Sequence, residues 1–192
     1  MQEKEFLKTI FSENDFKEDE LSMILPKFKK VKFIKNDFLL QEGQTENYYW
    51  FLESGFARSF VNDINGNDIT TNFYSSEDAV IDYSSFFLRS PTRENIQALT
   101  DCVCWQLDFK TFQQLFHGIE AFREHGRTIL VSSYFVLKNH RVSIIADQAK
   151  ERYIQLLKDK PQIVQNVALK HIATFLGITK SSLSRIRKEI SL

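Results

Sequence analysis

Only two cysteines occur in the 192 residues, and they sit one residue apart, at Cys102 and Cys104. They alternate around Val103 in a strand-like run, so they share one face and do not normally bond to each other. No further cysteine exists to complete a zinc or iron–sulfur set, which leaves both as expected reduced packing residues. Histidine is missing where a metalloenzyme of the β-roll type would need it. His117, His125, His140 and His171 all lie beyond residue 116, so the first 116 residues offer no imidazole ligand. The four are expected to be surface or helix-packing residues, and no metal site is expected. A Gly-rich phosphate loop, a His-Glu-x-x-His helix and a nucleophile elbow are absent too, and an enzyme is not expected. No segment approaches the roughly 18 uncharged apolar residues of a membrane span. The first residues, Met1-Gln-Glu-Lys-Glu-Phe-Leu, carry acids and no signal-peptide apolar run. A cytoplasmic protein with no membrane partner is expected.

Net charge is also missing, with 25 basic residues against 25 acidic. The balance hides an asymmetry. Residues 147–192 hold nine Lys and Arg against four Asp and Glu, leaving 16 against 21 for residues 1–146. A basic end on an otherwise acidic chain points to a nucleic-acid module there.

That end carries the most specific pattern. In Val167–Ile190, Ile172, Ala173 and Leu176 share one face of a short helix, and Leu183, Ile186 and Ile190 share one face of a second. Ala173 is small where the helices must cross, Gly177 suits a left-handed exit from the first, and Thr179 can cap the second. This is the arrangement of a helix-turn-helix. At ~100° per residue, Ser181, Ser184, Arg185 and Lys188 point away from the packed face. Arg185 is the expected bidentate reader of guanine, and Ser181 can reach a base edge or a phosphate. Lys180, Arg187 and Lys188 are expected on phosphates. With Lys170 and Thr179 these residues make up the expected DNA-binding set.

Upstream, residues 3–11 and 17–25 read as short helices separated by Ser12-Glu13-Asn14-Asp15. Strands are expected near Val31–Lys35, Phe38–Gln41, Tyr48–Glu53, Phe56–Asn62, Ile69–Tyr74, Ala79–Asp82, Asn95–Leu99 and Cys102–Leu107. Short strands at this spacing, broken by turn residues, imply an antiparallel barrel or jelly roll. Asp108–Phe116 returns to helix. A long helix follows from Gly118 to Ala146, with Phe122, Ile129, Val136 or Leu137, and Ile144 at about seven-residue intervals. Val131, Tyr134, Phe135 and Ile145 add to its apolar surface, which exceeds what one small barrel buries. A twofold partner helix is therefore expected, with Phe122, Ile129, Val136 and Ile144 at the interface. Asp147–Lys158 is a further helix, ending before Pro161. The fold class is α+β: an N-terminal antiparallel β-roll (a double-stranded β-helix or jelly roll) over 1–117, a dimerisation helix over 118–146, and a helix-turn-helix domain over 147–192.

This order of parts resembles the Crp/Fnr family of bacterial transcription regulators over nearly the whole chain. Glu42-Gly43-Gln44 followed by Tyr48-Tyr-Trp-Phe-Leu-Glu-Ser-Gly55 looks like the family's early roll signature. Leu107–Phe112 resembles its exit from the roll, and Ala149–Tyr153, Leu169–Gly177 and Leu183–Ile186 resemble its DNA-binding domain. The resemblance implies a homodimer on double-stranded DNA with an inverted-repeat operator, and RNA polymerase as a further partner. The alternative is a cyclic-nucleotide or other small-ligand binding module whose helical tail docks a protein.

The departures concern the effector. Family members that bind cyclic AMP carry Gly-Glu and, about ten residues later, Arg-Ser. Here Ile81 stands for the glycine, Asp82 for the glutamate and Thr92-Arg93 for Arg-Ser, with Glu94 adjacent. Ile81, Asp82, Tyr83, Thr92 and Arg93 are thus the effector-pocket candidates. The cassette reads as degenerate, the roll is expected to be packed with Phe73, Tyr83, Phe86 and Phe87, and no cofactor is expected. The four cluster cysteines of an oxygen sensor are lacking. The sequence runs only two residues past Ile190, so no β-hairpin wing is expected.

Overall fold

The structure, a computed structural model, describes residues 5–12 and 16–190. The expected break after Ser12 falls largely outside the described residues. Helices α1 (Glu5–Phe11) and α2 (Glu18–Ile24) lead through a 3-10 turn at Leu25–Lys27 into eight strands. These are β1 (Lys29–Phe33), β2 (Phe38–Leu40), β3 (Tyr48–Ser54), β4 (Ala57–Asn62), β5 (Asp68–Tyr74), β6 (Ala79–Val80), β7 (Asn95–Ala98) and β8 (Cys102–Asp108), with helix α3 (Tyr83–Leu88) between β6 and β7. They form two four-stranded sheets, ordered β1-β8-β3-β6 and β2-β7-β4-β5, whose ladders are antiparallel. The molecule is therefore α+β, with a jelly-roll N-terminal part and a helical C-terminal part.

The run Tyr49-Trp-Phe-Leu52 in β3 is apolar at every position because both faces of its sheet are covered. Trp50 and Leu52 turn inward to meet Leu40, Tyr74, Val80 and Ile96 between the sheets. Tyr49 and Phe51 turn outward into a second core with Leu7, Phe11, Phe28, Phe86, Phe112 and Phe122. Cys102 and Cys104 are free and buried together on the inner side. Gly55, at φ +94°, joins β3 to β4, and a Cβ there would lie 2.3 Å from the Asp101 carbonyl oxygen. Only glycine fits that corner.

Asp108 closes the roll by capping α4 (Phe109–Gly118), accepting the Thr111 amide at 3.0 Å. Helix α5 (Glu120–Ala146) is 27 residues long, about 40 Å at 1.5 Å per residue. Then come α6 (Ala149–Asp159), α7 (Pro161–Asn166), α8 (Leu169–Phe175) and α9 (Lys180–Ile190). Pro161 opens α7, where its missing N–H costs nothing. These helices share a third core, in which Tyr153, Leu156, Ile163, Ile172, Ala173, Leu176 and Leu183 close around Phe73 of the roll.

Three expectations need correction. The strand expected to run to Asp82 ends at Val80, and Asp82 instead caps α3, which the sequence reading lacked. Phe73, Tyr83, Phe86 and Phe87 do not fill the space between the sheets. Phe73 packs against the C-terminal helices, Phe86 lies in the outer core, Tyr83 packs against that core and Phe87 is partly exposed. Phe122 is only 4% exposed in the chain's own core and so presents no free dimer surface, while Ile129 packs beside it and stays partly exposed.

Candidate nucleic-acid interface and the roll interior

Helix α8 stops because Gly177 takes φ +67°. The Ile178 amide reaches back to the Ala173 carbonyl and the Gly177 amide to the Thr174 carbonyl, both at 3.0 Å. This pair of bonds satisfies the orphan carbonyls of the last turn. The Arg152 guanidinium adds two bonds to the Leu176 carbonyl, at 3.1 and 2.9 Å, and ties α6 to the same corner. Thr179 accepts the Ser182 amide at 3.2 Å and so starts α9. Leu183, fully buried, presses α9 onto Ile172 and Ala173.

With that face inward, Ser181, Arg185 and Lys188 are exposed on the opposite one, flanked by exposed Lys180 and Arg187. Lys170 is exposed on α8. Two of the expected contacts are otherwise engaged. The Ser184 hydroxyl donates to the Lys180 carbonyl at 3.0 Å, and the Thr179 hydroxyl serves the cap. The acid of α9, Glu189, is drawn toward Lys150 of α6 at 3.6 Å. A shallow groove lined by Leu169, Ser184, Arg187 and Lys188 runs beside the exposed basic face.

Of the five effector-pocket candidates, only Asp82 and Thr92 meet. Thr92 Oγ1 donates to Asp82 Oδ2 at 2.6 Å, while Asp82 Oδ1 accepts the Ser84 and Ser85 amides. Ile81 faces the helical core, Tyr83 shares a 3.2 Å hydroxyl bond with Ser133 of α5, and Arg93 is exposed. The arginine held near this corner is Arg89, which donates to the Glu46 carbonyl and to Asn47 Oδ1, both at 2.6 Å. Sequence reasoning missed Glu46, which is 1% exposed and whose Oε2 has no hydrogen-bond partner. Burial, opposed by hydrogen bonds and helped by the Asp82 charge, pushes its carboxyl up to about 7. Burial and the same Asp82 also raise Glu94. Asp82 thus brings negative charge beside both Glu46 and Glu94, in the stretch where the resemblance implies a phosphate.

The exposed apolar side chains of α5 keep the seven-residue spacing in its second half, at Leu130, Leu137 and Ile144, and add a second row beside it. Val131, Tyr134, Phe135, Val142 and Ile145 are exposed and fall on one stripe at helical spacing. Of the four expected interface residues, Val136 is 58% exposed and Ile144 38%. Ile144 reaches toward the turn, 3.5 Å from where a Gly177 side chain would begin.

Residues 30–118 match the cyclic nucleotide-binding domain family. A cAMP-dependent protein kinase regulatory subunit from Candida albicans is 26% identical over 92 residues, 48% of this chain but 19% of that protein. The chain thus spans about a fifth of that relative's length. Among solved structures, FixK2 from Bradyrhizobium japonicum is 14% identical, with a TM-score of 0.75 over 85% of this chain and 84% of that one. A Crp/Fnr-family protein from Eubacterium rectale, described as a transcriptional regulator, is 13% identical, with a TM-score of 0.71 over 92% and 84% of the two chains. Residues 30–118 are thus similar to the cyclic nucleotide-binding domain family, and the chain is built on the fold that FixK2 and the Eubacterium rectale Crp/Fnr-family protein share.

Proposed function

We propose that the chain is a homodimeric, sequence-specific DNA-binding transcription regulator of Crp/Fnr type whose roll takes no cyclic AMP. The observation that carries this reading is the outer face of α9. Ser181, Arg185 and Lys188 stand exposed there on a helix fixed from behind by Leu183, and the helix's acid leans away toward Lys150. Short hydroxyls and a guanidinium suit base edges, and the ammonium suits phosphate. The exposed stripe from Val131 to Ile145 supplies the surface for a second copy, which would set two α9 helices one DNA turn, ~34 Å, apart. Working divisions are the roll (1–117), the dimer helix (118–146) and the DNA-binding part (147–192), with RNA polymerase as a further partner in the cytoplasm.

The test is an electrophoretic mobility shift on the DNA upstream of the chain's own coding sequence. A discrete complex that survives excess non-specific DNA is expected. Equal competition by random DNA would defeat the reading. It would favour the second one, a small-ligand module whose helical tail docks a protein, toward which the kinase regulatory relative leans.

A further inference from the structure

Strand β5 is the outer strand of its sheet, and the DNA-reading helices lie along it. The Thr70 amide, on that strand, donates to Thr174 Oγ1 of α8 at 3.2 Å, and the two threonine hydroxyls are 3.3 Å apart. Arg58 of β4, 2% exposed, is ion-paired with Asp68 and donates to Thr70 Oγ1 at 3.1 Å. His171 of α8 is also buried, with Nδ1 4.0 Å from Asp68 Oδ2 and without a hydrogen-bond partner. An aromatic contact between Phe73 and Phe175, centroids 5.1 Å apart, completes the seam.

We propose that Arg58, Asp68, His171 and Thr174 form a proton-sensitive junction that fastens α8 to the edge of the roll and so positions the recognition helix. The junction stands on its own geometry, and only its effect on DNA rests on the function proposed above. These are positioning residues, since the exposed face of α9 lies elsewhere.

The physical case is one of charge. Asp68 is committed to Arg58, so a proton on His171 would enter a buried site facing Arg58 from β4 and Lys170 from its own helix. Asp68 of β5 is the opposing charge. Burial first, then those two cations, push the imidazole down to about 4, with Asp68 acting the other way. A second imidazole at this seam, His140 of α5, stacks on Phe175 and is also lowered, by burial and by Arg152. Lys160 closes the far end, donating to the Phe73 carbonyl at 2.8 Å beside Asp78. A group whose docked pKa lies below its free value favours release when protonated. Docking is therefore complete above the ordinary 6.5 and weakens as pH falls from there toward 4.

The Thr70 amide reports the junction directly, because its hydrogen-bond partner is on α8. Its hydrogen-exchange protection factor, which removes the intrinsic pH dependence of exchange, measures the docking equilibrium. Between pH 7.5 and 5.0 it should fall roughly 30-fold in the native chain and in His140→Gln. In His171→Gln the fall should be several-fold smaller, reduced to what the lesser shift of His140 contributes. An unchanged factor in the native chain, an equal fall in His171→Gln, or a level profile in His140→Gln would overturn the proposal. Operator affinity measured over the same pH range should fall in step with protection. If protection behaves as stated while no DNA is bound at any pH, the junction stands and the DNA reading fails.

Discussion

The imidazole of His140 lies flat on the ring of Phe175, with centroids 4.1 Å apart and planes 7° from parallel. Phe175 also meets Phe73 of the roll, with centroids 5.1 Å apart. One ring of α8 is thus gripped by the long helix and by the sheet together. Any shift of α5 against the roll must move α8, and α9 with it through Ala173 and Leu183.

Arg185→Ala is expected to lower operator affinity by about 1–3 kcal/mol and to relax base preference at one position per half-site. Lys188→Ala should weaken all sequences alike and reduce the slope of log affinity against log salt by about one unit. Titrations at two salt concentrations separate the two. Equal losses on specific and random DNA for Arg185→Ala would show the base reader to be elsewhere.

Phe135 is 53% exposed in the middle of the apolar stripe of α5. Phe135→Asp should move the mass measured by sedimentation from dimer to monomer and lower DNA affinity in parallel. Ile144 is a poorer test, since it also touches the Gly177 turn. Native protein that stays monomeric at high micromolar concentration would sink the dimer.

Cyclic AMP should give no saturable heat in calorimetry at millimolar concentration, and cyclic GMP should behave the same. Asp82 adds its charge beside both Glu46 and Glu94, while Arg93 points to solvent and Arg89 is spent on the Glu46 carbonyl and Asn47. A micromolar dissociation constant for either nucleotide would refute this.

Glu46→Gln should stabilise the roll at alkaline pH. The Glu46 carboxyl titrates at about 7 when folded and at its ordinary 4.5 when unfolded. The unfolded chain therefore binds fewer protons between those values, and native stability falls as pH rises from 4.5 through 7. The loss is on the order of 3 kcal/mol by pH 8. Urea melts of both proteins should converge near pH 4.5 and separate above pH 7. Curves that stay parallel across that range would show that Glu46 is not strained.

What the sequence revealed and concealed follows from the range of each interaction. The helix-turn-helix was readable because Ala173, Gly177, Thr179 and Leu183 act on neighbours within a few residues. The strands were readable to within about two residues, because alternation and turn residues are local. Which face meets which partner was not. The repeat Phe122–Ile129–Val136–Ile144 marks apolar positions without saying that a core 70 residues away in β3 takes the first two. Phe73 reads as one more inward strand residue, yet its partner Phe175 lies about 100 residues on. The short helix α3 was hidden because its signal is a single cap, Asp82 before Ser84 and Ser85, inside a stretch that resembled a ligand loop.

The cover that α8 gives to β5 has a consequence for fragments of the chain. A bare outer strand offers its amides and carbonyls to any other strand that passes, and chains can stack through such edges. Here the Thr70 amide and the apolar Phe73 are both capped by the C-terminal helices. A roll cut free near residue 146 would show them to its neighbours and associate strand to strand. The helices proposed to read DNA thus also cover the roll's outer strand, and truncating them is expected to leave that strand free to pair with another copy.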